Sequence, residues 1–307
     1  MPKPLEQGDL IALLAPASAV ARERVAGAER ALVGRGYRVR VYPSAVGEPW
    51  GSFSASEEQR IAELTEALTD AETAAVLCAR GGYGCVHLLP ALSRLGRIDK
   101  WIIGFSDVSA LHAWSNTNGV AGMHASMAKH LAEFPADDPQ TEALFRYLTS
   151  PRGTVITDTF PASPLNRPGE AAGKLVGGNL AVVNALAATP WDVLNPSEPS
   201  ILLLEDVSEK IYAVERMLTR LYLTGALSRG NVRGIIFGQF TDYHPDRNHT
   251  TMEEMISARL ARWDLPPIPI VFDAPYGHID SNRPVALGVP TRLVATPAEV
   301  RIEQTLI

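Results

Sequence analysis

The sequence has few of the residues that mark several classes of protein. Its only two cysteines, Cys78 and Cys85, have six residues between them, which is the spacing of neither a redox pair nor a zinc site. Acidic residues outnumber basic ones by 34 to 28, and the net charge is −6. No apolar run approaches the roughly 18 residues that cross a bilayer. We therefore expect two reduced thiols and no binding of nucleic acid or membrane.

The first residues lack the features of a secretory leader. Glu6 and Asp9 lie where such a leader is basic, and the apolar run that begins at Leu10 is short and ends at Pro16. This run is better interpreted as a buried first strand. We expect a cytoplasmic protein.

The chain does have regular alternation of short apolar runs with amphipathic stretches. With 307 residues, 46% of them apolar, it is long enough for two domains. Alternating strands and helices predict βαβ units and a parallel sheet. We predict an α/β fold whose N-terminal domain, residues 1–150, is a doubly wound, flavodoxin-like sheet. The predicted strands are 10–14, 37–41, 74–78, 101–105 and 120–123, and the predicted helices are 20–32, 56–68, 86–95 and 108–116.

Proline, glycine and serine crowd the segment that follows. We interpret residues 151–170 as a linker and residues 171–307 as a smaller C-terminal α/β domain. In that domain the predicted helices are 180–188, 209–223 and 251–263. The predicted strands are 201–204, 234–237 and 268–272, and a hairpin is predicted over 291–302.

Ser106 lies at the corner between a buried strand and a helix. This is the layout of a nucleophile elbow, in which a sharp turn projects the hydroxyl and the helix N-terminus supplies a positive dipole end. The free N–H of Asp107 would then stabilise an oxyanion. The alternative is that Ser106 or Asp107 only caps the helix, and the glycine that ends the usual elbow motif is absent.

Three glycines surround Tyr83 in the turn after the neighbouring strand. Their bare backbone offers N–H groups for the same oxyanion hole, with Gly82 as the candidate. A plain glycine turn remains an alternative. Phosphate binding is a weaker one, because Gly-Gly-Tyr-Gly matches neither nucleotide-binding glycine motif.

A serine nucleophile needs a base, and His278 is preferred among seven histidines because it lies in a rigid turn after a predicted strand. His124, which follows the fifth strand, is its competitor. His244 and His249 share one loop but show no metal-site spacing, and no metal is expected. Glu205 ends an apolar strand and would orient the imidazole, although it also fits a solvated strand end.

Taken together, these residues make the sequence resemble the LD-carboxypeptidase family, which includes muramoyltetrapeptide carboxypeptidases and microcin-immunity serine peptidases. The matching segments run in the family's order along nearly the whole chain: Ala-Pro-Ala-Ser at 15–18, Arg-Gly-Gly-Tyr-Gly at 80–84, Gly-Phe-Ser-Asp at 104–107, Gly-Gly-Asn-Leu at 177–180, Leu-Leu-Leu-Glu-Asp at 202–206 and Gly-His at 277–278. The resemblance departs after His124, where the family often has Gly-Pro and this chain has Ala125 and Ser126.

The resemblance implies a Ser106, His278 and Glu205 triad, with the N–H groups of Gly82 and Asp107 as the oxyanion hole. It implies no cofactor, a catalytic site between the domains, a homodimer, and release of terminal D-alanine from muropeptides in the cytoplasm. Substrate contacts are expected at Arg80, Tyr83, His124 and Asn179. Arg80 suits a terminal carboxylate, although it equally suits a structural ion pair. An amidase for peptidyl or aminoacyl nucleotide analogues, or a non-catalytic peptide-binding protein, are the alternatives.

Overall fold

The apolar runs in the first half of the chain form one sheet. The structure, a computed structural model, describes residues 1–228, 230–248 and 251–307. Two compact units are present: Met1–Thr154 with Asn282–Gly288, and Val155–Ser281 with Val289–Ile307. The strands of the first unit are β1 (Leu10–Leu14), β2 (Arg38–Val41), β3 (Thr73–Cys78), β4 (Trp101–Gly104), β5 (Gly122–His124) and, from the returning segment, β11 (Val285–Leu287).

The first sheet has the strand order β11-β5-β4-β3-β1-β2. Its five N-terminal strands are parallel, and only β11 runs antiparallel, against β5. The order 2-1-3-4-5 is that of flavodoxin-like sheets, so the predicted fold class is confirmed. Strands β1 and β4 are buried along their whole length, as their unbroken apolar sequences require.

Helices connect these strands and cover the sheet. They are α1 (Arg22–Gly34), α2 (Pro43–Val46), α3 (Glu57–Thr69), α4 (Leu89–Leu92), α5 (Ser109–Thr117), α6 (Ala128–Glu133) and α7 (Pro139–Thr149), with short 3₁₀ turns at Cys85–Leu88 and Ser106–Val108. Local sequence explains where α3 begins, since Ser56 accepts a hydrogen bond from the Gln59 N–H. The predicted helix over 86–95 is instead a 3₁₀ turn followed by the short α4.

The second unit has a mixed sheet. Its strands are β6 (Val155–Pro161), β7 (Gly169–Asn179), β8 (Ser200–Val207), β9 (Val232–Thr241), β10 (Ile270–Val271), β12 (Pro290–Ala295) and β13 (Glu299–Thr305), and its helices are α8 (Leu180–Ala185), α9 (Ile211–Leu223) and α10 (Met252–Leu260). The order is β10-β9-β8-β7-β12-β13-β6. The four strands from β10 to β7 are parallel, and the rest are antiparallel.

The segment 151–170, which we expected to be a linker, contains a strand of this sheet. Strand β6 pairs with β13 along its full length, and its exposed residues alternate with Ile156, Asp158 and Phe160, of which Ile156 and Phe160 are buried and Asp158 is half-buried. The prolines and glycines that suggested a linker flank this edge strand, where breakers are tolerated.

Among the described residues, no helix combines the length and apolarity needed to cross a bilayer.

Candidate active site

Ser106 occupies the corner between β4 and the 3₁₀ turn that leads into α5. Its φ is 65°, in the left-handed region that non-glycine residues rarely adopt. Such a conformation costs on the order of 1–3 kcal/mol, and strain of this kind is typical of a nucleophile elbow. The backbone therefore has the geometry that distinguishes an elbow from an ordinary helix cap, which takes extended dihedrals.

Gly81 packs directly against this serine. A Cβ at position 81 would lie 2.8 Å from the Ser106 Cβ, 2.9 Å from its Oγ and 3.2 Å from the Asp107 nitrogen. Only glycine fits so close an approach. The glycine turn and the Ser106 corner, which follow neighbouring strands, are thus brought together at the carboxyl edge of the first sheet.

Ser18 holds the glycine turn from the other side. Its N–H donates to the Gly81 carbonyl at 3.1 Å, and its Oγ accepts from the Tyr83 N–H at 3.3 Å. Gly82 has a φ of +106°, and a Cβ there would lie 2.2 Å from the Ser18 Oγ. The turn is therefore fixed by the first of the family segments, Ala-Pro-Ala-Ser.

Glu205 and His278 form a hydrogen-bonded pair in the second unit. The His278 Nδ1–H donates to the Glu205 Oε2 at 2.7 Å. Glu205 follows the apolar part of β8 and is fully buried, while the His278 side chain is 18% exposed. Gly277 lets the loop approach, since a Cβ there would lie 2.9 Å from the Glu205 Oε2. Glu205 is therefore not the solvated strand end that remained an alternative.

This pair has the electrostatics of an oriented base. Burial of His278 lowers its pKa, but the hydrogen bond and charge of Glu205, with the charges of Asp206 and Asp242, outweigh it, so the pKa is raised above 6.5. A carboxylate that accepts the Nδ1 proton also fixes the tautomer and leaves Nε2 to accept a proton. The arrangement can act as a general base.

Asp206 and Asn179 join neighbouring strands beside this pair. Asn179 lies opposite Glu205 in the register of β7 and β8, and it caps α8 by accepting from the Val182 N–H at 3.1 Å. Its amide donates to the Asp206 Oδ1 at 2.8 Å. Burial, followed by the charge of Glu205, raises the pKa of Asp206 to about 6.

Two of the other histidines are fully buried in the first unit. His124 is fully buried in β5, with its ring 5.6 Å from that of Phe105, and His112 is buried with its pKa lowered to about 3 by burial and by His124. His244 lies in an exposed loop, and His249 falls outside the described residues. Within the part of the chain that is described, no group of three or more His, Cys, Asp or Glu side chains is arranged to hold a metal.

The candidate substrate contacts differ in exposure. Arg80 is exposed and donates from Nη1 to the Ala19 carbonyl at 2.7 Å. Tyr83 is 55% exposed, with its hydroxyl 3.2 Å from the His87 Nε2. Both therefore have surface to offer a ligand, whereas His124 and Asn179 are buried.

Sequence reasoning missed three residues that support this geometry: Ser18 as a partner of the glycine turn, Gly81 as the neighbour of Ser106, and Arg60. Arg60 is only 2% exposed, and its Nη1 donates to the carbonyls of Pro16 and Gly84, in the loops that follow β1 and β3. A basic residue within the amphipathic pattern of α3 gives no local sign of burial. Ser18 belongs to the Ala-Pro-Ala-Ser segment that resembles the family, but no local pattern showed that it binds the glycine turn.

Two family models match most of the chain. The model of the LD-carboxypeptidase N-terminal domain matches residues 11–125, and that of the LD-carboxypeptidase C-terminal domain matches residues 172–293. Together they contain Ser106, Glu205 and His278.

Curated relatives and a solved structure agree with this match. A putative carboxypeptidase of Synechocystis is 32% identical, covering 95% of this chain and 93% of its own length. The murein tetrapeptide carboxypeptidase of Pseudomonas aeruginosa is 31% identical over 89% of each chain. The crystal structure of muramoyltetrapeptide carboxypeptidase from Oxalobacter formigenes superposes with a TM-score of 0.84 at 26% identity, covering 96% of this chain and 98% of that one.

Proposed function

We propose, because this chain belongs to the LD-carboxypeptidase family, that it is a serine peptidase which removes the terminal D-alanine from muropeptide tetrapeptides. The observation that carries the proposal is the 2.7 Å hydrogen bond between His278 and the buried Glu205, because an imidazole oriented in this way can activate a serine. The strained backbone of Ser106 supports its role as the nucleophile.

In the proposed reaction, His278 accepts the Ser106 proton through Nε2 while the serine oxygen attacks the scissile carbonyl. The imidazolium is stabilised by Glu205, which stays ionised, and then gives its proton to the amino group of the leaving D-alanine. The acyl-enzyme that remains is hydrolysed by water, which His278 activates in the same way.

The N–H groups of Gly82 and Asp107 are the proposed donors to the oxyanion. The close packing of Gly81 on Ser106 and the Asp107 nitrogen supports this assignment, since it holds the glycine turn against the nucleophile. Losing one such donor typically costs about 3 kcal/mol of transition-state stabilisation. Arg80 and Tyr83 are the proposed substrate contacts with exposed surface, and His124 and Asn179 complete the proposed set.

We further propose that the enzyme acts in the cytoplasm as a homodimer without a cofactor. Both cysteines are free and buried, which suits a reducing compartment. Sedimentation velocity of the purified protein tests the dimer, and a monomer at micromolar concentration contradicts it.

The decisive experiment measures D-alanine released from a purified muropeptide tetrapeptide by the wild-type protein and by Ser106→Ala. We expect steady release by the wild type and a loss of at least about 10³-fold in the variant. Ser93→Ala is the matched control, because Ser93 is an exposed serine of the same unit whose hydroxyl donates to the Pro90 carbonyl at 2.8 Å. Full activity in Ser106→Ala ends the assignment.

A second substrate separates the proposed reaction from the amidase alternative. Peptidyl and aminoacyl nucleotide analogues are assayed beside the tetrapeptide under the same conditions. A higher kcat/KM for a nucleotide analogue than for the tetrapeptide supports the amidase alternative and contradicts the cell-wall peptide as the substrate. Binding of the tetrapeptide without reaction toward a fluorophosphonate indicates a non-catalytic protein.

A further inference from the structure

One peptide group in the glycine turn is held by two buried side chains of opposite charge. The carbonyl of Gly84 accepts from the Arg60 Nη1 at 3.2 Å, and the N–H of the next residue, Cys85, donates to the Asp107 Oδ2 at 2.7 Å. Arg60 is 2% exposed and Asp107 is 1% exposed. The two polar groups of a single peptide unit are thus each bound by a buried ion.

The contacts of Arg60 join three loops. Its Nη1 also donates to the Pro16 carbonyl at 2.8 Å, and its Nε donates to the Ala55 carbonyl at 3.2 Å. The guanidinium carbon lies 4.7 Å from the centre of the Phe53 ring. In the described part of the chain, its hydrogen-bond acceptors are these backbone oxygens. Burying a guanidinium is costly, so it is found only where contacts of this kind offset the loss of water.

Asp107 links the two proposed oxyanion donors. Its own N–H is one of them, and its carboxylate holds the turn that carries the other, because Gly82 lies two residues before Gly84. Burial raises the pKa of this carboxyl, while the Cys85 N–H and the charge of Arg60 act in the opposite direction. Glycine suits position 84 because its φ is +126°, a backbone conformation that residues with a Cβ rarely adopt.

We propose that Arg60 and the Asp107 carboxylate are positioning residues that clamp the Gly84–Cys85 peptide and thereby set the spacing of the Gly82 and Asp107 N–H groups. The inference rests on the proposed function, because it concerns the same oxyanion hole. It goes beyond that function by assigning roles to two side chains that need not touch the substrate. An error in donor spacing weakens binding of the oxyanion more than binding of the ground state.

Substituting a clamp residue should have a different effect from substituting a residue that only stabilises the fold. A structural role reduces the amount of folded protein and leaves each folded molecule fully active. A positioning role lowers kcat in folded protein while KM stays close to the wild-type value. Kinetics on protein that has passed a folding check by circular dichroism therefore separates the two.

The test compares Arg60→Gln, Arg60→Lys and the control Arg38→Gln. Arg38 is a surface residue of the same unit whose side chain is 59% exposed and pairs with Glu72. We expect Arg60→Gln to lower kcat for the tetrapeptide by about 10- to 100-fold with KM changed by less than about threefold. Arg60→Lys keeps the charge and restores part of the loss, and Arg38→Gln has wild-type constants.

A second pair of variants tests the other half of the clamp and serves if Arg60→Gln does not fold. Asp107→Asn keeps a side-chain oxygen that can accept from the Cys85 N–H, whereas Asp107→Ala removes the acceptor. The backbone N–H of residue 107 is present in both. We expect the kcat of Asp107→Ala to fall by about as much as that of Arg60→Gln, whereas Asp107→Asn keeps most of the wild-type kcat. Equal kcat for the two variants overturns the clamp.

Phosphonylation of Ser106 by a fluorophosphonate distinguishes failure of the clamp from failure of the proposed function. The reagent needs the nucleophile and the oxyanion donors but no peptide. If the wild-type protein is phosphonylated but releases no D-alanine, the proposed substrate is wrong. The clamp is then still tested by comparing the phosphonylation rate of Arg60→Gln with that of the wild type. Folded Arg60→Gln that reacts at the wild-type rate overturns the inference.

Discussion

Two residues of the candidate site are held in states that isolated residues avoid. Ser106 has a left-handed backbone, and Glu205 is a fully buried carboxylate beside the buried Asp206. The His278 N–H and the tight turns at Gly81 and Gly277 support these states locally. Strain and buried charge of this kind concentrate at functional sites, where the surrounding structure enforces them.

The raised pKa of His278 leads to a prediction about Glu205→Gln. Because a general base must be neutral and the pKa of His278 is raised, we expect the acid limb of kcat/KM for the wild type at a higher pH than an ordinary histidine would give. Without the Glu205 charge, the burial that lowers the pKa of His278 is less opposed, and the limb moves to lower pH. We expect kcat to fall by about 10³- to 10⁴-fold.

The measurement is kcat/KM for D-alanine release between pH 5 and pH 9. Glu198→Gln is the matched control, because Glu198 is exposed and pairs with Lys174. An acid limb in Glu205→Gln that stays at the wild-type pH contradicts the proposed pairing.

At the scale of elements, helix α7 depends on one buried carboxylate. Asp138 accepts from the N–H groups of Gln140 and Thr141, each at 3.0 Å, and from the His130 Nε2 at 2.7 Å. Burial raises the pKa of Asp138, but the His130 and Thr141 hydrogen bonds outweigh it and lower the pKa below 3.8. A single side chain thus caps α7 and ties it to α6.

We predict that Asp138→Ala lowers the free energy of unfolding at pH 7 by about 1–2 kcal/mol, as loss of an N-cap does. Because the folded pKa lies below the unfolded one, the ionisation-linked part of this stability is fully present above pH 3.8. It is lost as the pH falls through the folded pKa, so the difference between variant and wild type narrows there.

Urea unfolding at pH 7 and pH 3 measures this difference, with the exposed neighbour Asp137 substituted in Asp137→Ala as the control. The same difference at both pH values contradicts an ionised cap. Activity per folded molecule is expected to be unchanged, since α7 carries none of the proposed catalytic residues.

At the scale of the whole chain, a short late segment completes the first unit. Strand β11 lies at the edge of the first sheet and pairs with β5 through Val285, Ala286 and Leu287, all at most 1% exposed. Asn116, in α5, donates to the Leu287 carbonyl at 3.2 Å. The first unit therefore takes one of its edge strands from a segment that follows most of the second unit in the sequence.

We predict that Met1–Thr154 expressed alone aggregates, because it exposes the edge of β5 and the apolar surface that β11 covers. Joining Asn282–Gly288 to Thr154 through a Gly-Ser linker restores solubility, whereas the same fusion with Val285 and Leu287 replaced by Asp does not. Size-exclusion chromatography of the three fragments provides the measurement, and a soluble monomeric Met1–Thr154 contradicts the prediction.

The sequence alone predicted the α/β class and the order of the first five strands along the chain, and its resemblance to a known family gave the triad that we propose. Strand β1 was predicted at its observed bounds, and α1, α3 and α5 within two residues. These features arise from the periodicity of apolar residues and from motifs with fixed local spacing, which a linear reading detects.

Only the tertiary structure decided which residues meet across long separations. The pairing of β6 with β13, the return of β11 and the contacts of Arg60 each join segments whose local patterns show no sign of a partner. The hydrogen bond between Glu205 and His278 likewise depends on a separation of 73 residues being closed by folding. Local propensity acts over a few residues, whereas burial and hydrogen-bond pairing are properties of the folded chain.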